Sequence, residues 1–253
     1  MFLPFRFLRA AALCLSLAPM AGEAAAGEAL VAVAANFAEP MAALEAAFEK
    51  ESGHALTVST GSTGKLYAQI AGGAPFDAFL AADSERPARL EAEGRAVAGS
   101  RFTYAAGRLA LWSADPALIG ADGAAALREA KFRRLAIANP DLAPYGAAAM
   151  QILAALGLDE TLRPRIVMGE NIGQAYAMIA SGNAELGFVA LSQIAGEPAK
   201  GSRWAPPGSL YAPIRQDAVL LKRAADNEAA LAFLAYLKTD AARAVMERYG
   251  YAR

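Results

Sequence analysis

Apolar positions along this chain alternate between two rhythms. Leu30, Val31, Ala32, Val33, Ala34 and Ala35 form an unbroken run, and Met41, Leu44, Ala47 and Phe48 then recur at helical spacing. The run predicts a strand covered on both faces of a parallel sheet, and the spacing predicts an amphipathic helix opening near Glu39 and Pro40. The same unit follows at once. A short apolar stretch over 56–59 leads into Gly61, Ser62, Thr63 and Gly64, then a second helical pattern of Leu66, Tyr67 and Ile70. Two helix N-termini therefore open beside the carboxyl ends of two neighbouring strands, where open α/β sheets place ligands and where free N–H groups favour an anion.

The alternation continues. Residues 76–81 read as a buried strand, Asp83 as a helix cap, and 87–93 as a short helix closed by Gly94. Phe102, Tyr104 and the run 109–112 predict an extended pair with Gly107 between them, a place where the chain can bend. Further units follow: strand 135–138, a breaker-rich turn over 139–146 and helix 147–156; then strand 166–168, turn 169–171 and a helix marked by Ile172, Tyr176 and Ile179. Residues 186–189 form another buried run, Trp204 to Gly208 read as a loop, and 211–221 as an extended return. Leu231, Leu234, Leu237 and then Val245, Met246, Tyr249 mark two closing helices expected to pack on the first domain.

Four of these turns share one grammar, an apolar strand, a short polar or glycine-bearing turn and an immediate helix. They centre on Asn36, on Ser62 and Thr63, on Tyr145, and on Asn171 and Ile172. The expected organisation is a first lobe from 27–106 and 216–253 and a second from 107–215, with the four turns meeting across a cleft.

Composition adds limits. The 253 residues are 56% hydrophobic and 19% charged, which argues for a packed fold rather than disorder. Arg6 and Arg9 precede the apolar run 11–18, and Ala24, Ala25 and Ala26 supply small residues for cleavage, so 1–26 reads as a secretory signal peptide and the periplasm as the destination. That run is too short to span a bilayer. Cys14, the single cysteine, lies within it, which leaves the mature chain without thiol chemistry. Removing Arg6, Arg9 and Glu23 shifts the net charge from −1 to about −2. With no basic run to contact phosphates, no nucleic-acid partner is expected.

Candidate chemistry is sparse. His54, the only histidine, reads as a surface-loop residue with no nucleophile or carboxylate arranged around it. Asp77, Asp83, Glu185 and Asp217 match no metal-ligand spacing and read as caps or surface charges. Asn36, Ser62 and Thr63, each taken singly, are ordinary helix caps. Lys65 falls in a first helical turn and reads as solvent-facing.

Taken together, the blocks AVAANFAEPMAALEAAFEKESG, GSTGKLYAQIAGGAPFDAFLAAD, IANPDLAPYG, NIGQAY, NAELGFVALSQI and RYGY resemble the periplasmic molybdate-binding proteins of ABC transporters, in that family's order and over essentially the whole mature chain. The resemblance implies a type II periplasmic binding protein fold: two α/β lobes, two crossing strands, and closure over a tetrahedral oxyanion held by neutral donors. By position these become Asn36, Ser62, Thr63, Tyr145 and Ile172. It also implies no catalytic residue, no cofactor and no directly bound metal ion, a monomer, molybdate or tungstate as ligand, and an ABC permease with its ATPase as partners. Two departures stand out: Asn36, whose side-chain amide can still donate, replaces a common serine, and Ala190 replaces a common tyrosine, so one donor is either absent or replaced, for which the Tyr145 ring is a candidate.

The chemistry is coherent on its own terms. A dianion with lone pairs and no hydrogen suits a pocket of donors alone, whereas a protonated phosphate wants an acceptor as well. Five or six hydrogen bonds to a charged group, at roughly 1.5 to 3 kcal/mol each, reach the order of tight binding before association costs. A sulfate or thiosulfate binder, or a small-molecule enzyme on the same two-lobed fold, shares the same outline.

Overall fold

The computed structural model describes residues 26–195 and 201–252. The expected signal peptide, including Cys14, lies outside the described residues apart from Ala26.

Strand β1 (Glu28–Ala34) passes through a 3-10 turn, Ala35–Phe37, into helix α1 (Ala38–Ser52); β2 (Ala55–Gly61) leads to α2 (Thr63–Ala71), and β3 (Ala78–Leu80) to α3 (Glu85–Ala92). Then come β4 (Phe102–Gly107), β5 (Leu109–Ser113), α4 (Gly123–Glu129), β6 (Leu135–Ala138), α5 (Pro144–Ala155) and α6 (Asp159–Leu162). The chain continues through β7 (Ile166–Gly169), α7 (Ile172–Ala180), β8 (Leu186–Ala190), β9 (Ser202–Trp204), β10 (Ile214–Leu220), α8 (Glu228–Tyr236) and α9 (Asp240–Arg248).

Two five-stranded sheets result, in the orders β2-β1-β3-β10-β4 and β7-β6-β8-β5-β9. In the first, β1 pairs parallel with β2 and β3, and β10 returns antiparallel between β3 and β4. Only Arg108 separates β4 in one sheet from β5 in the other, and the chain returns between β9 and β10, so two connections join two lobes. This is the two-lobed α/β architecture expected of a type II binding protein. Central strands are apolar throughout because both faces are covered: Val31, Val33 and Leu80 pack under α1 and α8, while Leu135, Ile137, Leu186 and Phe188 pack under α5 and α7. Helices α8 and α9 close the first lobe, with Phe233 edge-on to Phe48 at 5.3 Å.

Several local expectations change. Trp204, expected at the start of a loop, instead ends an edge strand on β5, Ser202–Trp204. Ser84 precedes α3 without a side-chain capping bond, and it is the Asp83 carboxylate, as expected, that caps the first turn by accepting from the Arg86 amide at 2.9 Å. Asp77 and Asp217 are not surface charges. Asp77 accepts from the Leu30 amide at 2.7 Å and pairs with Arg223, and Asp217 accepts from Thr103 and Arg101 at 2.7 and 2.6 Å. Gly107 is not among the residues at positive φ; it is needed for closeness, since a Cβ there would sit 2.1 Å from the Tyr145 hydroxyl.

Candidate functional site

The four strand–turn–helix junctions meet. Asn36, Ser62 and Thr63 from the first lobe and Tyr145 and Ile172 from the second line one cavity, together with Ala34, Ala35, Gly61, Ala82, Ala143, Pro144 and Asn171. It is small, with free space on the order of one water-sized guest in this closed form, which leaves no room for a sugar or an amino acid. All five predicted residues are buried.

Each helix start explains part of the wall. Ser62 is the N-cap of α2, yet its side chain makes no capping bond, and its Oγ is buried with no hydrogen-bond partner among the described residues. Thr63 is the first residue of α2; its Oγ1 accepts from the Ala82 amide at 3.0 Å and keeps its own hydrogen to give. Pro144 opens α5 without an N–H, which makes the Tyr145 amide the first donor of that helix. At α7 the Asn171 side chain accepts from the Gln174 amide at 3.1 Å, and Ile172 presents the first N–H. The opening N–H groups of a helix have no acceptor in their own helix. Three helices and the Ala35–Phe37 turn thus bring donors, and the positive ends of their dipoles, to one small space.

No charged side chain belongs to the wall. Two cations beside the cleft are paired: Lys65 Nζ meets Glu170 Oε1 of the other lobe at 2.8 Å, and Arg86 bonds Asp83 on its own turn and the Asp141 carbonyl across the cleft. Burial pushes the Asp83 carboxyl up, against the pull of Arg86. Main-chain contact also bridges the lobes, with the Gly64 amide donating to the Leu142 carbonyl at 2.8 Å. The cleft is closed.

Two expectations about side chains are corrected. The Asn36 amide does not face the cavity as a free donor, because it donates to Gln216 Oε1 at 3.0 Å and to Tyr251 Oη at 2.9 Å. Nor does the Tyr145 hydroxyl stand in for a missing tyrosine at Ala190. Its oxygen accepts from Gln216 Nε2 at 3.0 Å and its hydrogen goes to the Tyr251 hydroxyl, so both are used within the protein. Ala190 itself is not in the wall, and its amide donates to Gln193 Oε1 at 3.0 Å. Gln216, Tyr251 and Ser192 were not legible as site neighbours, because polar contacts between residues far apart in sequence leave no local pattern. His54 lies away from the cavity, its Nδ1 accepting from the Gly27 amide at 3.0 Å. Among the described residues no cluster of three or more His, Cys, Asp or Glu could hold a metal ion.

Two α/β lobes shut over a small cavity with an uncharged, donor-rich wall define a two-lobed binding protein of the periplasmic type. Residues 29–252 match the family model described as bacterial extracellular solute-binding protein, and the chain belongs to that family. The molybdate-binding protein ModA of Azotobacter vinelandii is 53% identical over 234 residues, covering 92% of each chain. Its counterpart in Rhodobacter capsulatus is 50% identical over 245 residues, covering 96% of each. The solved structure of the Azotobacter vinelandii periplasmic molybdate-binding protein superposes with a TM-score of 0.86 at 44% identity, over 89% of this chain and 99% of that one. The sulfate-binding protein SubI of Mycobacterium tuberculosis H37Rv, at 13% identity and a TM-score of 0.75 over 89% of this chain and 86% of its own, shares the fold.

Proposed function

We propose that this is an extracytoplasmic, non-enzymatic solute-binding protein that captures molybdate, and tungstate as well, and delivers it to an ABC permease driven by its ATPase. The observation that carries the reading is the Ser62 hydroxyl, buried and unpartnered in a wall of helix N-termini without a cation or carboxylate. A buried polar group left without a partner costs about 1 to 3 kcal/mol, and a tetrahedral dianion supplies the acceptor it lacks. Relatives named as molybdate-binding proteins at 50 and 53% identity support the choice of anion.

The anion would be held by the amides of Asn36, Thr63, Tyr145 and Ile172 and the hydroxyls of Ser62 and Thr63, with no metal ligand from the protein because the metal arrives as its oxyanion. Contact with both lobes makes the anion select the closed form, the lobes 27–106 with 216–253 and 107–215 turning about Gly107 and the 211–216 return. Cleavage after Ala26 places the mature monomer in the periplasm. A thermal-shift panel tests the assignment. At a hundredfold excess over Kd, molybdate or tungstate should raise the melting temperature by roughly 5–10 °C while phosphate leaves it unchanged. A shift with sulfate or thiosulfate in place of molybdate would reassign the anion.

A further inference from the structure

On the hinge side of the cavity lies a buried polar network whose outer members do not touch the space the anion would fill. Gln216 stands at its centre. Its Oε1 accepts from Asn36 Nδ2 and from the Tyr104 hydroxyl, both at 3.0 Å, and its Nε2 donates to the Tyr145 hydroxyl at 3.0 Å. The main-chain carbonyl of Asn36 accepts from Ser192 Oγ and from the Tyr251 hydroxyl, each at 2.8 Å, and Tyr251 and Ser192 lie 3.2 Å apart. Asn36, Tyr145, Ser192, Gln216 and Tyr251 are all buried.

Placement gives the network its meaning. Asn36, Tyr104 and Tyr251 belong to the first lobe, Tyr145 and Ser192 to the second, and Gln216 to the strand that returns between them. A β-bulge at Gln216 and Asp217 turns two consecutive residues inward, Gln216 to this network and Asp217 to Thr103 and Arg101. The bonds from Ser192 to Asn36, from Gln216 to Tyr145 and between Tyr251 and Ser192 all run between the lobes in this closed form. Both turns they hold, at Asn36 and Tyr145, present amides to the cavity.

We propose that Gln216, Ser192 and Tyr251 are positioning residues for anion capture: they tie the Asn36 and Tyr145 turns into one unit that forms only when the lobes close, and so set how long the anion is held. The proposal rests on the anion reading of the cavity. Apparent affinity scales with the fraction of molecules in the binding-competent state, so a latch that favours closure tightens binding without touching the ligand. Because these bonds hold the closed form and must break before the anion can leave, their loss acts mainly on release rather than on encounter.

The test uses the mature chain with Gln216→Leu, Ser192→Ala and Tyr251→Phe, molybdate as the probe, stopped-flow rates of association and release, and small-angle scattering of the anion-free protein. Gln216→Leu should speed release by about tenfold or more with association changed by less than about threefold, and Ser192→Ala and Tyr251→Phe should shift release the same way by smaller factors. Scattering of each variant without anion should move toward an open form relative to the parent. The hydroxyl deletions keep the proposal testable if Gln216→Leu does not fold. Unchanged release rates in the folded variants would overturn it, as would losses that track melting temperature alone with the same anion-free shape as the parent. If the parent binds no oxyanion, the functional reading fails, while the scattering comparison still decides whether these bonds favour closure.

Discussion

Ser62 and Thr63 are adjacent and equally buried, yet they differ in one respect: Thr63 Oγ1 accepts from the Ala82 amide at 3.0 Å, whereas Ser62 Oγ has no partner among the described residues. The two hydroxyls therefore predict opposite mutant signatures. Ser62→Ala removes a donor whose only use is the guest, and should weaken anion binding about tenfold or more while the free protein melts at the parental temperature or above it, since a buried unsatisfied hydroxyl is gone. Thr63→Val strands a buried amide and should destabilise the free protein by about 1–3 kcal/mol in addition to weakening binding. Calorimetry and denaturant unfolding on the pair separate the effects; a Ser62→Ala protein of parental affinity would remove that hydroxyl from the site.

Gly107 is a second sensitive point. A Cβ there would lie 2.1 Å from the Tyr145 hydroxyl and 2.5 Å from Gln216 Nε2. Gly107→Ala should lower stability by about 1–3 kcal/mol, as overpacking does, and loosen anion binding at the same time because Tyr145 is displaced. Denaturant midpoints and molybdate titrations of the variant check this, and a variant matching the parent in both would show that the contact relaxes without consequence.

The account requires that no side-chain cation neutralise the anion. Lys65, paired with Glu170 at the surface and half exposed, is the nearest test of that requirement. Exposed pairs contribute at most about 1 kcal/mol, so Lys65→Gln should change molybdate affinity by less than about fivefold at physiological salt. A loss of about a hundredfold or more, on the scale of 1.4 kcal/mol per decade, would make Lys65 a counter-charge.

Burial keeps the phenols of the network neutral. Tyr104 and Tyr145 are raised well above the usual phenol value, and Tyr251 is raised to about 12. An unfolded tyrosine titrates near 10. A folded pKa above the unfolded one means that the network's contribution is fully present below about pH 10 and is lost as pH rises through about 12. Phenolate absorbance and far-ultraviolet circular dichroism recorded from pH 9 upward should show part of the eight tyrosines titrating only as the fold is lost. All of them titrating near pH 10 in a folded protein would contradict the burial argument.

Much of the fold was legible because central strands of a doubly covered sheet are apolar without interruption. The run 135–138 coincides with β6 for this reason, and Met41, Leu44 and Phe48 mark the buried side of α1. The three-residue strand Ser202–Trp204 was not legible: it is short, lies at a sheet edge and is followed closely by Pro206 and Pro207. The meeting of four turns at one cavity followed from the repeated strand–turn–helix unit once the lobes were arranged. The direction of the Asn36 amide did not, because its partners Gln216 and Tyr251 are 180 and 215 residues away and neither carries a local signature. Ser192 was hidden similarly, on the 3-10 turn Leu191–Ile194 after β8, where nothing in the neighbouring residues singles out its hydroxyl.

Calorimetric titration of the mature protein with molybdate and with phosphate, at one pH near neutrality and one salt concentration, tests the central claim most directly. One molybdate per chain at submicromolar or tighter Kd, with no measurable phosphate binding, is the result expected of an uncharged wall of donors closed over a bare dianion. Absence of molybdate binding, or phosphate binding as tight as molybdate, would contradict it.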